Sequence, residues 1–138
     1  MSTSKIWYKK GYKYQLYQTY SVKISIKPKT TIFTDWIWLN TEGLLTIHKG
    51  YAWDGASGPT FDTKNSMRGS LVHDSLYQLM RMGLLDRKWR EQADRELERI
   101  CVEDGMSKIR ARIWYCVVQK IAGFGAKPGY RRKVLTAP

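Results

Sequence analysis

The chain has 138 residues, of which 43% are hydrophobic and 13% are aromatic. This length and composition predict a folded protein with its own core and exclude a disordered chain. The two cysteines, Cys101 and Cys116, fall on predicted helices, so we expect both to be small core residues and not a disulfide. The first ten residues have no apolar signal core, and no run of the sequence approaches membrane-spanning length.

The net charge of +12 is unevenly distributed. Residues 1–50 contain 8 Lys or Arg and 2 Asp or Glu, residues 51–104 contain 8 and 10, and residues 105–138 contain 8 and none. Two basic flanks around an acidic middle predict an anionic partner, either an anionic membrane lipid or an acidic protein. Nucleic acid stays open as a partner, although no nucleic-acid motif is present. The plain alternative is solvated surface charge.

Alternating hydrophobic residues in the first fifty positions predict strands, because side chains on a strand point to opposite faces in turn. The alternating sets are Tyr12, Tyr14 and Leu16, then Val22, Ile24 and Ile26, then residues 36–39 and 44–48. The turn Asn40–Gly43 joins the last two as a hairpin. This part of the chain is therefore predicted to form a small antiparallel sheet.

From about residue 67 the hydrophobic period becomes helical. The first helix is expected to end near Gly83, the second to run from a cap at Asp86 to Gly105, and the third from a cap at Ser107 to Gly123. The apolar stripes expected to face the core are Leu71, Val72, Leu76, Leu79 and Met80, then Trp89, Ala93, Leu97, Ile100 and Cys101, then Ile109, Ile113, Val117 and Ile121.

The predicted class is α+β, with an N-terminal antiparallel sheet followed by three helices. We expect a single domain over residues 1–138. Its strands would occupy about residues 1–50, a glycine-rich turn residues 51–66, the helices residues 67–123 and a basic tail residues 124–138.

The segment His73-Asp74-Ser-Leu-Tyr77 carries the candidate chemistry. At about 100° per residue, His73 and Tyr77 lie together on the rim of the first helix's apolar stripe, and Asp94 lies on the core rim of the second helix. If the two helices pack antiparallel, Asp94 can hydrogen-bond His73 and orient it as a catalytic base. A buried polar pair that only fixes helix register is the structural alternative.

A glycine-rich turn, Trp53-Asp-Gly-Ala-Ser-Gly-Pro59, precedes this helix. Gly55 and Gly58 allow backbone conformations that can turn several carbonyl oxygens inward. Carbonyl oxygens together with one carboxylate would form the all-oxygen shell that Ca²⁺ prefers. A tight turn without a metal is the alternative.

Three spaced motifs resemble a family of small, uncharacterised proteins of tailed phages and prophages. They are Lys49-Gly-Tyr-Ala-Trp-Asp-Gly-Ala-Ser-Gly-Pro59, Leu71-Val-His-Asp-Ser-Leu-Tyr77 and Ala93-Asp94. This resemblance covers roughly residues 44–124 and implies a viral or prophage origin. The protein would then be located in the host cytoplasm or the virion.

The His-Asp-x-x-Tyr pattern of His73, Asp74 and Tyr77 also resembles the phospholipase A2 superfamily, especially its disulfide-poor bacterial members. The resemblance implies an antiparallel helix pair in which His73 is the general base for a water. Asp94 would orient that histidine, and Tyr77 would support it. Asp74 would bind Ca²⁺ with carbonyls of the preceding loop, for which Trp53, Gly55 and Ser57 are the candidates.

Three functions follow from these observations. The first is a calcium-dependent phospholipase A2-like hydrolase, active or degenerate. The second is a metal phosphohydrolase that uses His48, His73, Asp74 and Asp94. The third is a non-enzymatic phage structural or host-interaction protein whose basic flanks bind an anionic partner.

Overall fold

The computed structural model describes residues 6, 8–10, 14–53, 55 and 63–121. The chain divides into two compact units, and among the described residues the first unit ends at Trp53 and the second begins at Gly55. The first unit contains strands and the second contains three α-helices. The predicted α+β class, with strands before three helices, is therefore confirmed, and the single domain stays a prediction.

Seven short strands lie in the first unit, which we call the strand unit. They are β1 (Tyr8–Lys10), β2 (Tyr14–Leu16), β3 (Tyr20–Lys23), β4 (Ile32–Phe33), β5 (Ile37–Leu39), β6 (Leu44–Ile47) and β7 (Ala52–Trp53). They form two antiparallel sheets with the orders β1-β2-β7 and β3-β6-β5-β4. The sequence predicted a single sheet, because an alternating pattern indicates strands but not which strands pair, and it does not reveal strands of two residues such as β4 and β7.

The predicted hairpin turn between β5 and β6 is confirmed. The Asn40 side-chain oxygen accepts hydrogen bonds from the backbone N–H groups of Glu42 and Leu44, each at 2.9 Å. Gly43 adopts a φ of 87°, and a Cβ there would lie 2.4 Å from the Ile24 carbonyl oxygen. Glycine is thus required at this position both for its backbone conformation and for its space.

The second unit, the helical unit, contains α1 (Lys64–Arg81), a short 3-10 helix (Arg87–Trp89), α2 (Arg90–Glu103) and α3 (Lys108–Ile121). The predicted cap of α3 is confirmed, since Ser107 accepts from the Arg110 N–H at 3.2 Å. Asp86 accepts from the Lys88 N–H at 2.8 Å, but it caps the 3-10 helix and not α2, which begins after Trp89 without a side-chain cap. Helix α1 starts three residues before its predicted start, where the Ser66 hydroxyl accepts from the Thr63 N–H at 2.9 Å. The expected stop at Gly123 lies outside the described residues.

Helices α1 and α2 run antiparallel. As α1 proceeds from Arg68 to His73, the residues that it contacts run backwards along the chain, from Asp104 at the C-terminal cap of α2 to Asp94 within α2. The Arg68 guanidinium donates to Asp104 at 2.9–3.2 Å and also bonds Glu103, which closes one end of the pair. This arrangement confirms the antiparallel packing that the short connection predicted.

Helix α3 presents a different face to the core from the one predicted. Its buried residues are Ala111, Trp114, Tyr115 and Val118. All of these except Tyr115 belong to one core cluster with Leu97, Cys101 and Met106. Ile109 and Ile113, expected in the core, are 77% and 59% exposed. The prediction that Cys116 is a core residue is wrong for the same reason, whereas Cys101 is buried as expected. Burying the large Trp114 ring decides the rotation of the helix.

Among the described residues, no helix is both long and apolar enough to cross a bilayer.

Candidate functional site

Asp94 is the centre of the polar cluster in the helical unit. It lies on α2 with 0% exposure, and its Oδ1 is 2.6 Å from Nε2 of His73 and 2.7 Å from the Tyr77 hydroxyl. A buried carboxylate is stable only where donors surround it. The structure therefore brings together all three residues that the sequence predicted as a catalytic set.

The cluster also fixes the protonation pattern of the imidazole. An ionised carboxylate only accepts hydrogen bonds, so Nε2 of His73 must carry the proton that it shares with Asp94. In the neutral ring Nδ1 then holds a lone pair, and no described residue hydrogen-bonds this atom. An imidazole held in this tautomer by a carboxylate is the arrangement of a general base.

Tyr77 lies one helical turn after His73, and the two ring centroids are 4.3 Å apart. Burial raises the pKa of the Tyr77 hydroxyl above its usual value, and the adjacent Asp94 charge raises it further. Tyr77 therefore stays protonated and acts as a permanent donor to Asp94. This supports the predicted supporting role of the tyrosine.

Two further residues complete the shell of Asp94, and the sequence reasoning missed both. Gln119 on α3 donates its side-chain amide to Oδ2 of Asp94. Arg90 lies one turn before Asp94, with Nη1 at 3.8 Å from Oδ2, and the same nitrogen donates to the Gln119 carbonyl at 3.0 Å. The i,i+4 spacing of Arg90 and Asp94 was a usable signal. Gln119 had none, because its position depends on the rotation of α3.

Gly69 was also missed, although it makes the close helix contact possible. It lies on α1 one turn before His73, where a Cβ would be 2.7 Å from Sγ of Cys101 and 3.2 Å from the Leu97 carbonyl oxygen. Only glycine allows α1 and α2 to approach this closely without a shift. The distance of 2.6 Å between His73 and Asp94 depends on that approach.

The four predicted calcium ligands fall in different parts of the chain. Asp74 is buried on α1, and Gly55 has a φ of 84°, a backbone conformation that glycine allows. Trp53 belongs to β7 of the strand unit, and Ser57 lies outside the described residues. Within the part of the chain that the structure describes, no three His, Cys, Asp or Glu side chains cluster as metal ligands. The calcium site stays a prediction.

His48, the other histidine, follows β6 in the strand unit. Its ring lies edge-on against Trp38, with the ring centroids 4.4 Å apart. His73, Asp74 and Asp94 belong to the helical unit, so the set of four residues that a metal phosphohydrolase would use is divided between the two units and stays a prediction.

Comparisons with family models, with curated proteins and with solved structures find no match to this chain.

Proposed function

We propose that the protein is a phospholipase A2-like ester hydrolase with His73 as its general base. The observation that carries the proposal is the contact of 2.6 Å between His73 Nε2 and Asp94 Oδ1, on a carboxylate that also accepts from Tyr77. A histidine that needed only a structural partner would be satisfied by any acceptor. Here the acceptor is a fully buried carboxylate that selects one tautomer.

In the proposed reaction, Nδ1 of His73 removes a proton from a water molecule as the water oxygen attacks the ester carbonyl. Asp94 stabilises the imidazolium that forms, and Tyr77 and Gln119 hold the carboxylate in position. The imidazolium then returns the proton to the leaving alkoxide. Each step uses a residue whose position the polar cluster already fixes.

Calcium is the proposed cofactor, and Asp74 together with carbonyl oxygens of the segment that begins at Gly55 would hold it. This donor set consists of hard oxygen atoms, which fits Ca²⁺ better than a transition metal. When bound, Ca²⁺ would polarise the ester carbonyl and stabilise its oxyanion.

The test is fatty-acid release from dispersed short-chain phospholipid, measured with calcium and with EDTA. We expect calcium-dependent release that falls by about 10²-fold or more in His73→Gln, because glutamine can still donate to Asp94 but has no basic nitrogen. His48→Gln is the matched control and should keep its activity, since it removes the chain's other histidine. A wild-type protein that releases no fatty acid, or a fully active His73→Gln, would refute the proposal.

A second candidate is a non-enzymatic phage structural or host-interaction protein, in which the cluster only holds the helices together. The burial of His73, which is 3% exposed, favours this candidate because a base must meet its substrate. The same experiment separates the two. Inert wild-type protein whose stability falls in His73→Gln would indicate the architectural role.

A further inference from the structure

Helix α3 carries a second apolar stripe that faces away from the core. It consists of Ile109, Ile113 and Cys116, all exposed, and we call it the outer stripe. At about 100° per residue, the two isoleucines point about 170° away from the mean direction of the buried residues of α3. Two isoleucines this exposed on one helix face indicate a surface that contacts another molecule when the protein functions.

Cations surround the outer stripe. Lys108 and Lys120 lie near its two ends, and Arg110 and Arg112 lie on its two flanks. Helix α3 contains no acidic residue, and among the described residues only Arg112 of these four forms an ion pair, with Glu98 at 2.9 Å. The surface thus combines an apolar centre with three cations that form no ion pair among the described residues and a fourth, Arg112, that is paired with Glu98.

We propose that the outer stripe docks the protein on an anionic lipid surface, with α3 lying in the plane of the interface. Apolar side chains would enter the acyl boundary while the lysines and arginines stay at the level of the head groups. A second copy of this chain is a poor occupant, because it would place two basic helices against each other. An anionic leaflet offers negative charge around the whole stripe.

This inference rests on the proposed function in one respect, the choice of a lipid surface over an acidic protein groove. A hydrolase of lipid esters must reach its substrate at an interface. The charge pattern and the exposed isoleucines are independent of that choice.

The first measurement is co-sedimentation with vesicles of ether-linked lipid, which the proposed activity cannot cleave. We compare phosphatidylcholine alone with phosphatidylcholine containing about a third phosphatidylglycerol. Ile109→Gln/Ile113→Gln should bind the anionic vesicles about tenfold or more weakly than wild type, because both side chains lose their apolar contact. The matched control is Met82→Gln/Leu84→Gln, which changes two residues that are 51% and 45% exposed after α1 and should bind as wild type does.

The two cysteines provide a second measurement that reports orientation. Cys116 is exposed in the outer stripe, while burial raises the pKa of the Cys101 thiol to about 12 and shields it from reaction. An environment-sensitive fluorophore on Cys116 should shift to shorter wavelength on anionic vesicles and become protected from iodide. The same label on Met82→Cys, in a Cys116→Ser background, should stay accessible.

Equal binding of wild type and Ile109→Gln/Ile113→Gln, or a Cys116 label that stays open to iodide, would overturn the inference. Failure of wild type to bind the anionic vesicles would also overturn it and would leave an acidic protein groove as the occupant. Failure of the proposed function gives a different result: docking through the outer stripe without any hydrolysis of ester lipid.

Discussion

The two carboxylate oxygens of Asp94 receive the donors of the polar cluster. His73 and Tyr77 share Oδ1, while Gln119 and Arg90 approach Oδ2. Each donor offsets part of the free energy that burial of the charge costs. Removing one donor should therefore lower the free energy of unfolding by the contribution of one hydrogen bond. Removing the carboxylate would leave all of these donors without their acceptor.

Tyr77→Phe should lower the free energy of unfolding by about 1–3 kcal/mol, because it deletes one hydrogen bond to a buried charge and keeps the ring. Urea unfolding followed by circular dichroism measures this change. The matched control is Tyr115→Phe, which keeps the ring that the Arg95 and Arg112 guanidinium groups face at 5.6 and 5.0 Å. We expect Tyr115→Phe to lower the free energy of unfolding by less than Tyr77→Phe does.

The same substitution should couple with His73→Gln, since both residues bond one oxygen of Asp94. Additive effects of the two changes would show that the residues do not act through a shared acceptor.

Helix α1 and its neighbours show how far sequence could predict this site. The angular positions of His73, Tyr77 and Asp94 follow from the helical period, and the short connection favours an antiparallel pair. The buried face of helix α3 was predicted wrongly because the helix carries two apolar stripes, one with Ile109 and Ile113 and one with Trp114 and Val118. A period alone cannot choose between such stripes, so the contribution of Gln119 could not be predicted.

Gly69→Ala should force α1 away from α2, because the new Cβ would lie 2.7 Å from Sγ of Cys101. We expect a loss of about 1–3 kcal/mol in the free energy of unfolding, as for other overpacked cores. Adding Cys101→Ala should recover part of this loss, since it removes the sulfur atom, and urea unfolding measures both. A Gly69→Ala/Cys101→Ala protein no more stable than the sum of the single changes would contradict the close contact.

The stability of the helical unit as a whole should fall in alkali. Burial raises the pKa of the Cys101 thiol from an ordinary value of about 9 to about 12. Between these values the unfolded chain has lost the proton and the folded chain keeps it, so stability falls as pH rises, by about 1.4 kcal/mol per pH unit for one group. Tyr77 acts in the same direction above its ordinary value of 10.0.

Urea unfolding between pH 9 and 10 tests this dependence through the helical circular dichroism signal. Cys101→Ala should reduce the slope of stability against pH, and Cys116→Ala should leave it unchanged because that thiol is exposed. The idea fails if the two variants give the same slope.

The arrangement around Asp94 has a consequence for how the helices come apart. Its donors come from α1 and α3 while the carboxylate itself sits on α2, and Arg90 ties the start of α2 to the end of α3. Opening α1 or α3 at this level would leave the buried Asp94 carboxylate without some of its hydrogen-bond donors. We therefore expect the three helices to open together, so that backbone amides near the cluster show similar protection in hydrogen exchange.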